Sequence, residues 1–217
     1  MMTIDLGDVR LEAHVRVPEE AGKLALFVHG SGSSRHSPRN NHVAEQLERR
    51  GIASLLFDLL TEEEDRSRET RFDIDLLTRR VTSVLGRLAD IDSLARLEVH
   101  LFGASTGAAA AIRAAAAAAD ATPGGATGEV STPTIRSVVS RGGRPDLAGD
   151  ALAALATPCL LIVGGNDPQV LQMNRDAQSR MSCENELRIV EGASHLFEEP
   201  GALDEVARYA AEWITTH

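Results

Sequence analysis

Hydrophobic and polar positions follow three distinct patterns along the chain. From Ile4 to Val17 they alternate, with Leu11, Ala13, Val15 and Val17 set against Glu12, His14 and Arg16, and Gly7-Asp8 divides the segment in two. A period of two with a central turn signal predicts a β-hairpin with one solvated face. From Leu24 onward the pattern changes to unbroken apolar runs: Leu24–Val28, Ile52–Phe57, Leu97–Phe102, Ile135–Val139, Pro158–Val163 and Leu187–Val190. Runs of this length fit strands buried on both faces, as in a parallel sheet. Between the runs the period becomes helical. Val43, Ala44 and Leu47 share one face, as do Ile74, Leu77, Val81, Val84, Leu85 and Leu88. A last helix is predicted from Leu203 to Ile214, with Val206, Tyr209, Ala210 and Trp213 as its apolar face.

Strands alternating with helices imply an α/β fold: a mostly parallel sheet of about eight strands, opened by the antiparallel hairpin and covered by helices on both faces. The stretch from Asp120 to Pro133 is rich in Ala, Thr, Gly and Pro and is expected to be a surface loop. No helical insertion is long enough for a large lid domain. The site is therefore expected to be open, unless the loop 120–133 or the segment 61–70 folds over it. At 217 residues the chain suits one domain with one sizeable core, spanning 1–217.

Charge narrows the choice of partner. The formal net charge is −10, and an acidic surface repels phosphate backbones and anionic lipid, so neither nucleic acid nor membrane is an expected partner. The run Glu62 to Asp65 reads as a solvated loop. The N-terminus has no basic and apolar leader pattern, and no apolar stretch reaches the roughly 18 residues of a membrane span, so a cytoplasmic location is expected. The two cysteines, Cys159 in an apolar run and Cys183 in a polar one, form no C-x-x-C. No H-e-x-x-H and no tight His/Cys cluster suggests a metal.

The chemistry begins where the Leu97–Phe102 strand ends. Gly103-Ala104-Ser105-Thr106-Gly107 follows directly, and an Ala-rich helix follows that. G-x-S-x-G between a strand and a helix is the nucleophile elbow. The turn is so sharp that the serine takes a strained backbone conformation. The flanking glycines carry no Cβ to collide with the neighbouring strand and helix, and the helix N-terminus favours developing negative charge. A serine hydroxyl needs a base. Of seven histidines, His195 in Gly192-Ala193-Ser194-His195 stands just after the Leu187–Val190 strand, at the carboxyl end of the sheet where α/β sites collect. The orienting acid should lie between them in the chain, and Asp167 in Gly164-Gly165-Asn166-Asp167-Pro168 leaves the preceding strand at the same edge. Asp167 is also well placed to cap the helix that Pro168 opens.

The fourth component is the oxyanion hole. His29-Gly30-Ser31-Gly32 follows the first buried strand, and its small residues let backbone amides approach a ligand. The amide of Thr106 is one expected donor, and that of Ser31 the other, with Gly32 as substitute. His29 reads as a brace for this loop. Arg35 and Arg39, just beyond it, and Arg141, leaving another strand at the same edge, are candidates for binding an acidic substrate group, against the alternative of hydrogen bonding to loop backbones.

Together, His29-Gly30-Ser31-Gly32, Gly103 to Gly107, Gly164 to Asp167 and Gly192 to His195 make the sequence resemble the dienelactone hydrolase-related group of α/β-hydrolases, from Leu24 to Ile214. The resemblance implies a three-layer α/β/α sandwich, no organic cofactor and hydrolysis of ester-like bonds in a small-molecule substrate. Some similar chains carry a phosphoribosyltransferase domain as well, which these residues do not contain. Dienelactone hydrolases proper use a cysteine nucleophile, and Ser105 in its place favours a general esterase. A thioesterase or peptidase would use the same triad, and a non-catalytic binding module is the rival outside enzymes. Nucleotide binding at Gly30-Ser31-Gly32 is disfavoured, since Arg35 stands where G-x-G-x-x-G needs its third glycine.

Overall fold

The chain opens with strands β1 (Met2–Asp5) and β2 (Arg10–Arg16), antiparallel with Ile4 opposite Leu11, and the Leu6 N–H donates to the Val9 carbonyl at 2.9 Å to close the turn. β2 continues antiparallel onto β4 (Ile52–Phe57). The remaining strands are parallel: β3 (Lys23–Val28), β5 (Glu98–Ala104), β6 (Ile135–Arg141), β7 (Cys159–Gly164) and β8 (Asn185–Val190). This computed structural model, which describes residues 1–120 and 133–217, arranges them as one sheet in the order β1-β2-β4-β3-β5-β6-β7-β8. The helices are α1 (Pro38–Glu48), α2 (Arg68–Phe72), α3 (Ile74–Arg87), α4 (Thr106–Asp120), α5 (Ala151–Ala154), α6 (Pro168–Gln178) and α7 (Ala202–Thr216).

Alternation along β3 divides the interior into two layers. Leu24, Leu26 and Val28 join Leu77, Val81 and Val84 of α3 and the alanines of α4 on one face. Ala25 and Phe27 join Val43 and Leu47 of α1 and Val206, Ala210 and Trp213 of α7 on the other. The central strands are thus apolar at most of their positions because both faces are covered. The result is the expected three-layer sandwich, with β5 at its centre leading into the Ser105 turn and the neighbouring β3 leading into the His29-Gly30 loop. Ala108 to Ala111 are fully buried, so α4 lies against the sheet with almost no side-chain bulk between them.

Three local expectations are refined. Pro38 opens α1 at its first position and Ser37 accepts from the Asn40 N–H at 3.3 Å, so Arg39 and Asn40 belong to a helical first turn, not to the loop. The acidic run is only partly solvated. Glu64 accepts from Arg80 at 2.8 Å and from the Thr61 N–H at 2.8 Å, because the buried Arg80 guanidinium demands a partner there. The expected surface loop over 120–133 falls almost wholly outside the described residues. Between β4 and α3 the chain makes only one turn of 3-10 helix and the short α2, so no lid domain is inserted there. Among the described residues no helix is long and apolar enough to cross a membrane.

Candidate active site

Ser105 sits between β5 and α4 with φ +51°, in the left-handed region that a non-glycine residue seldom occupies. Neighbouring backbone holds it there. Its N–H donates to the Arg141 carbonyl at 3.3 Å, and its carbonyl accepts from Ala108 and Arg144 at 3.1 and 3.0 Å. The two flanking glycines are sterically required. A Cβ on Gly107 would fall on the carbonyl oxygens of Val28 and His29, and one on Gly103 would fall on the Ala108 backbone. Gly30 passes over the serine: a Cβ there would stand 2.9 Å from the Ser105 Cβ and 3.5 Å from its Oγ.

Asp167 uses its two oxygens for two purposes. Oδ1 accepts from the Val170 N–H at 3.3 Å and caps α6, while Oδ2 accepts from His195 Nδ1 at 2.7 Å. The cap and the histidine partner, alternatives in the sequence, coexist. With Nδ1 donating, Nε2 keeps the lone pair that a base requires. The carboxylate is largely sheltered, at 16% side-chain exposure, and the imidazole is open at 40%. The histidine loop is tied down from several sides. Asn166 donates its N–H to the Ala193 carbonyl at 2.9 Å and its amide to Gly192 at 2.8 Å. Glu199 accepts from the Ser194 N–H at 3.0 Å, which holds the Glu199 carboxyl below its usual range. Nothing in the sequence marked Glu199, whose role depends on the path of the loop.

Ser105 and His195 meet the same turn of β6. The Arg141 carbonyl binds the Ser105 N–H, and the next residue, Gly142, has φ +51° with its missing Cβ 3.7 Å from the His195 Cε1. Serine and imidazole thereby flank the Arg141-Gly142 peptide at the carboxyl edge of the sheet.

One of the two expected oxyanion donors is already taken: the Ser31 N–H donates to the side-chain Oγ1 of Thr106 at 2.8 Å, and Thr106 is buried. The Ser31 amide is thus engaged by the Thr106 hydroxyl here, and Gly32, with φ +68°, follows it. His29 is the brace that the sequence suggested. Its Nδ1 bonds the Gly30 carbonyl at 2.9 Å and its Nε2 receives the Leu59 N–H at 2.9 Å. That pairing fixes the neutral tautomer, and burial lowers its pKa.

The cationic candidates separate. Arg35 is engaged by Asp58, which takes both its N–H, at 2.7 Å, and its guanidinium. Arg39 faces the exposed Glu198 at 3.6 Å. Arg141 is buried and donates from Nη2 to Asn40 Oδ1 at 3.2 Å. A cavity of about 110 Å³ beside the oxyanion loop is lined by His29, Ser33, Ser34, Asp58, Thr61 and Asp65 among others. Among the described residues no three His, Cys, Asp or Glu side chains converge to hold a metal ion.

The sequence profile of the family described as "Alpha/beta hydrolase domain" matches residues 21–212. A solved structure of dienelactone hydrolase from Anabaena variabilis superposes with a TM-score of 0.90 and 45% identity, over 100% of this chain and 96% of that one. Est1E from Butyrivibrio proteoclasticus shares the fold, with a TM-score of 0.79 and 15% identity over 99% and 97% of the two chains. A Mycobacterium tuberculosis protein bearing the name "Putative phosphoribosyl transferase" is 50% identical over 211 residues, which are 97% of this chain and 45% of that protein. The chain therefore spans about half the length of the curated relatives it matches.

Proposed function

The chain belongs to the α/β-hydrolase superfamily, in its dienelactone hydrolase-related group, and on that premise we propose that it is a serine hydrolase cleaving small acyl esters. The observation that carries the reading is the delivery of Ser105, strained at the elbow, and of the Asp167-bound His195 to one turn of β6. Ser105 Oγ attacks the ester carbonyl carbon while His195 Nε2 takes its proton. The carbonyl oxygen becomes an oxyanion facing the Thr106 N–H and the loop at Ser31 and Gly32. The intermediate collapses, the C–O bond to the alcohol breaks, and the imidazolium returns its proton to the departing alcohol. Water then attacks the acyl-Ser105 with the same histidine as base and releases the acid. Asp167 stabilises the imidazolium and fixes its tautomer without itself taking the proton.

A serine nucleophile supports ester chemistry over reactions that rely on a thiolate. Cys159 does not compete for the role, since it is fully buried and burial raises its thiol pKa far from reactivity, and partial burial raises that of Cys183 as well. The name borne by the mycobacterial relatives belongs to proteins of about twice this length and is not carried over.

The test is labelling of the intact protein by a fluorophosphonate, with the adduct located by mass spectrometry. Labelling at Ser105 that disappears in Ser105→Ala is the expected result. A folded protein that resists labelling at Ser105 overturns the assignment.

A further inference from the structure

The turn that follows β6 has no side chain of its own at its centre to hold its shape. Gly142 lies at φ +51°, where a Cβ would stand 3.3 Å from the His195 carbonyl oxygen. A Cβ on Gly143 would fall on Ser140 Oγ and on the Ala108 Cβ. Glycine is thus required at both positions, by conformation at Gly142 and by space at Gly143, and a glycine pair is the least rigid backbone a chain can offer. Yet both ends of this turn bind Ser105. The Arg141 carbonyl accepts from the Ser105 N–H at 3.3 Å, and the Arg144 N–H donates to the Ser105 carbonyl at 3.0 Å. His195 lies against Gly142 between them.

Rigidity must then come from outside the turn. The Gly142 N–H donates to the Ile162 carbonyl of β7 at 2.8 Å. The Gly143 carbonyl is buried, and among the described residues its only partner is Asn174 of α6, whose Nδ2 donates to it at 3.0 Å. Asn174 is itself 0% exposed. Nδ2 also donates to the Val170 carbonyl one helical turn back at 2.8 Å, which fixes the amide on its helix. Oδ1 has no partner among the described residues. A buried amide with an orphaned acceptor is a defect that an apolar side chain would avoid, and departures of this kind collect at functional sites. The helix that carries Asn174 is the one that Asp167 caps. One element therefore holds His195 through Asp167 and the Ser105 turn through Asn174.

From this arrangement we infer that Asn174 is a positioning residue, which ties the Gly142-Gly143 turn to α6 and so sets Ser105 against His195. The inference rests on the serine-hydrolase reading above and adds to that site a residue whose own bonds go only to backbone. Without the Asn174 donor the Gly143 carbonyl loses its partner, and the glycine pair is free to shift together with the Ser105 backbone bound at its two ends. Proton transfer from Ser105 Oγ to His195 Nε2 needs a hydrogen-bond reach of about 2.6–3.2 Å, and a displacement of about 1 Å costs on the order of 10²-fold in rate.

The experiment measures kcat and KM for p-nitrophenyl butyrate, and the rate of fluorophosphonate labelling of Ser105, in Asn174→Leu, Asn174→Asp and Ala177→Gly, each below its melting temperature. Leucine keeps the branched shape without a donor, and ionised aspartate keeps it while turning an acceptor on the carbonyl. Ala177→Gly loosens the same helix at another buried position and reads the effect of lost stability alone. Both Asn174 variants should lose about 10- to 100-fold in kcat and in labelling rate, with KM near the wild-type value. Ala177→Gly should melt lower and keep both rates. Folded Asn174 variants with wild-type kcat overturn the inference, and so does a loss that Ala177→Gly reproduces or one confined to KM. Should neither Asn174 variant fold, hydrogen exchange in the wild type decides. The Arg144 N–H should exchange as slowly as the amides of β6, and exchange at the rate of an exposed loop overturns the inference. Absence of Ser105 labelling in the wild type overturns the hydrolase reading itself.

Discussion

Asp167 permits its two duties to be separated by substitution. Oδ1 caps α6 at 3.3 Å from the Val170 nitrogen, and Oδ2 holds His195 Nδ1 at 2.7 Å. Asparagine is as good an N-cap as aspartate, so Asp167→Asn should leave stability nearly unchanged. Alanine removes the cap, at a cost of about 0.5–2 kcal/mol. For a chain of this length each kcal/mol moves Tm by about 2–4 °C, so Asp167→Ala should melt about 1–8 °C lower. The catalytic effect should be large in both variants. Neither side chain can stabilise the imidazolium, and the asparagine amide favours the wrong imidazole tautomer. The corresponding change in a Ser-His-Asp triad lowers kcat by about 10⁴, equivalent to about 5.4 kcal/mol of barrier. Thermal melts, ester hydrolysis and the rate of fluorophosphonate labelling read the two effects independently. An Asp167→Asn variant that keeps kcat within about tenfold of the wild type would refute the triad role and leave Asp167 as a cap alone.

Two further changes test the surroundings. Thr106→Val deletes the acceptor of the Ser31 N–H without altering shape, so it should cost about 1–3 kcal/mol of stability and lower kcat by up to ~10²-fold through a misplaced oxyanion loop. Thr106→Ser should restore both, and a Val variant with wild-type melting and turnover would show that the bond positions nothing. His100 is buried, with Nδ1 on Ser137 Oγ at 2.8 Å, and burial lowers its pKa to about 3. The unfolded chain takes up a proton near pH 6.5 that the native state refuses, so the native state is fully favoured above that pH and loses stability as pH falls toward 3. Between pH 7 and pH 5 the loss from His100 is about 2 kcal/mol, and His29 acts in the same direction. Denaturant midpoints at the two pH values should show it, and His100→Leu should flatten the dependence. An unchanged slope in that variant would remove His100 from the account.

Much of this protein was legible before any coordinates because its signals are local. Both-face burial writes itself as unbroken apolar runs, so Leu24–Val28 and Ile52–Phe57 announced parallel strands, and the strands' carboxyl ends necessarily share an edge. Ser105, Asp167 and His195 stand out as candidates by that rule, each a few residues past a strand. The glycines around Ser105 were legible for a similar reason, since a sharp turn excludes a Cβ wherever it occurs. What only the tertiary structure decided is which polar group meets which. Ser31 and Thr106, both candidate oxyanion donors, bond each other across 75 positions of sequence. Arg35 and Arg141 looked alike as cations near the site, yet Asp58 occupies the first and no carboxylate among the described residues reaches the second. A hydrogen bond or ion pair depends on a few tenths of an ångström between elements remote in the chain. Apolar burial depends only on which face a residue presents, and periodicity records that face in the sequence while recording nothing of the partner.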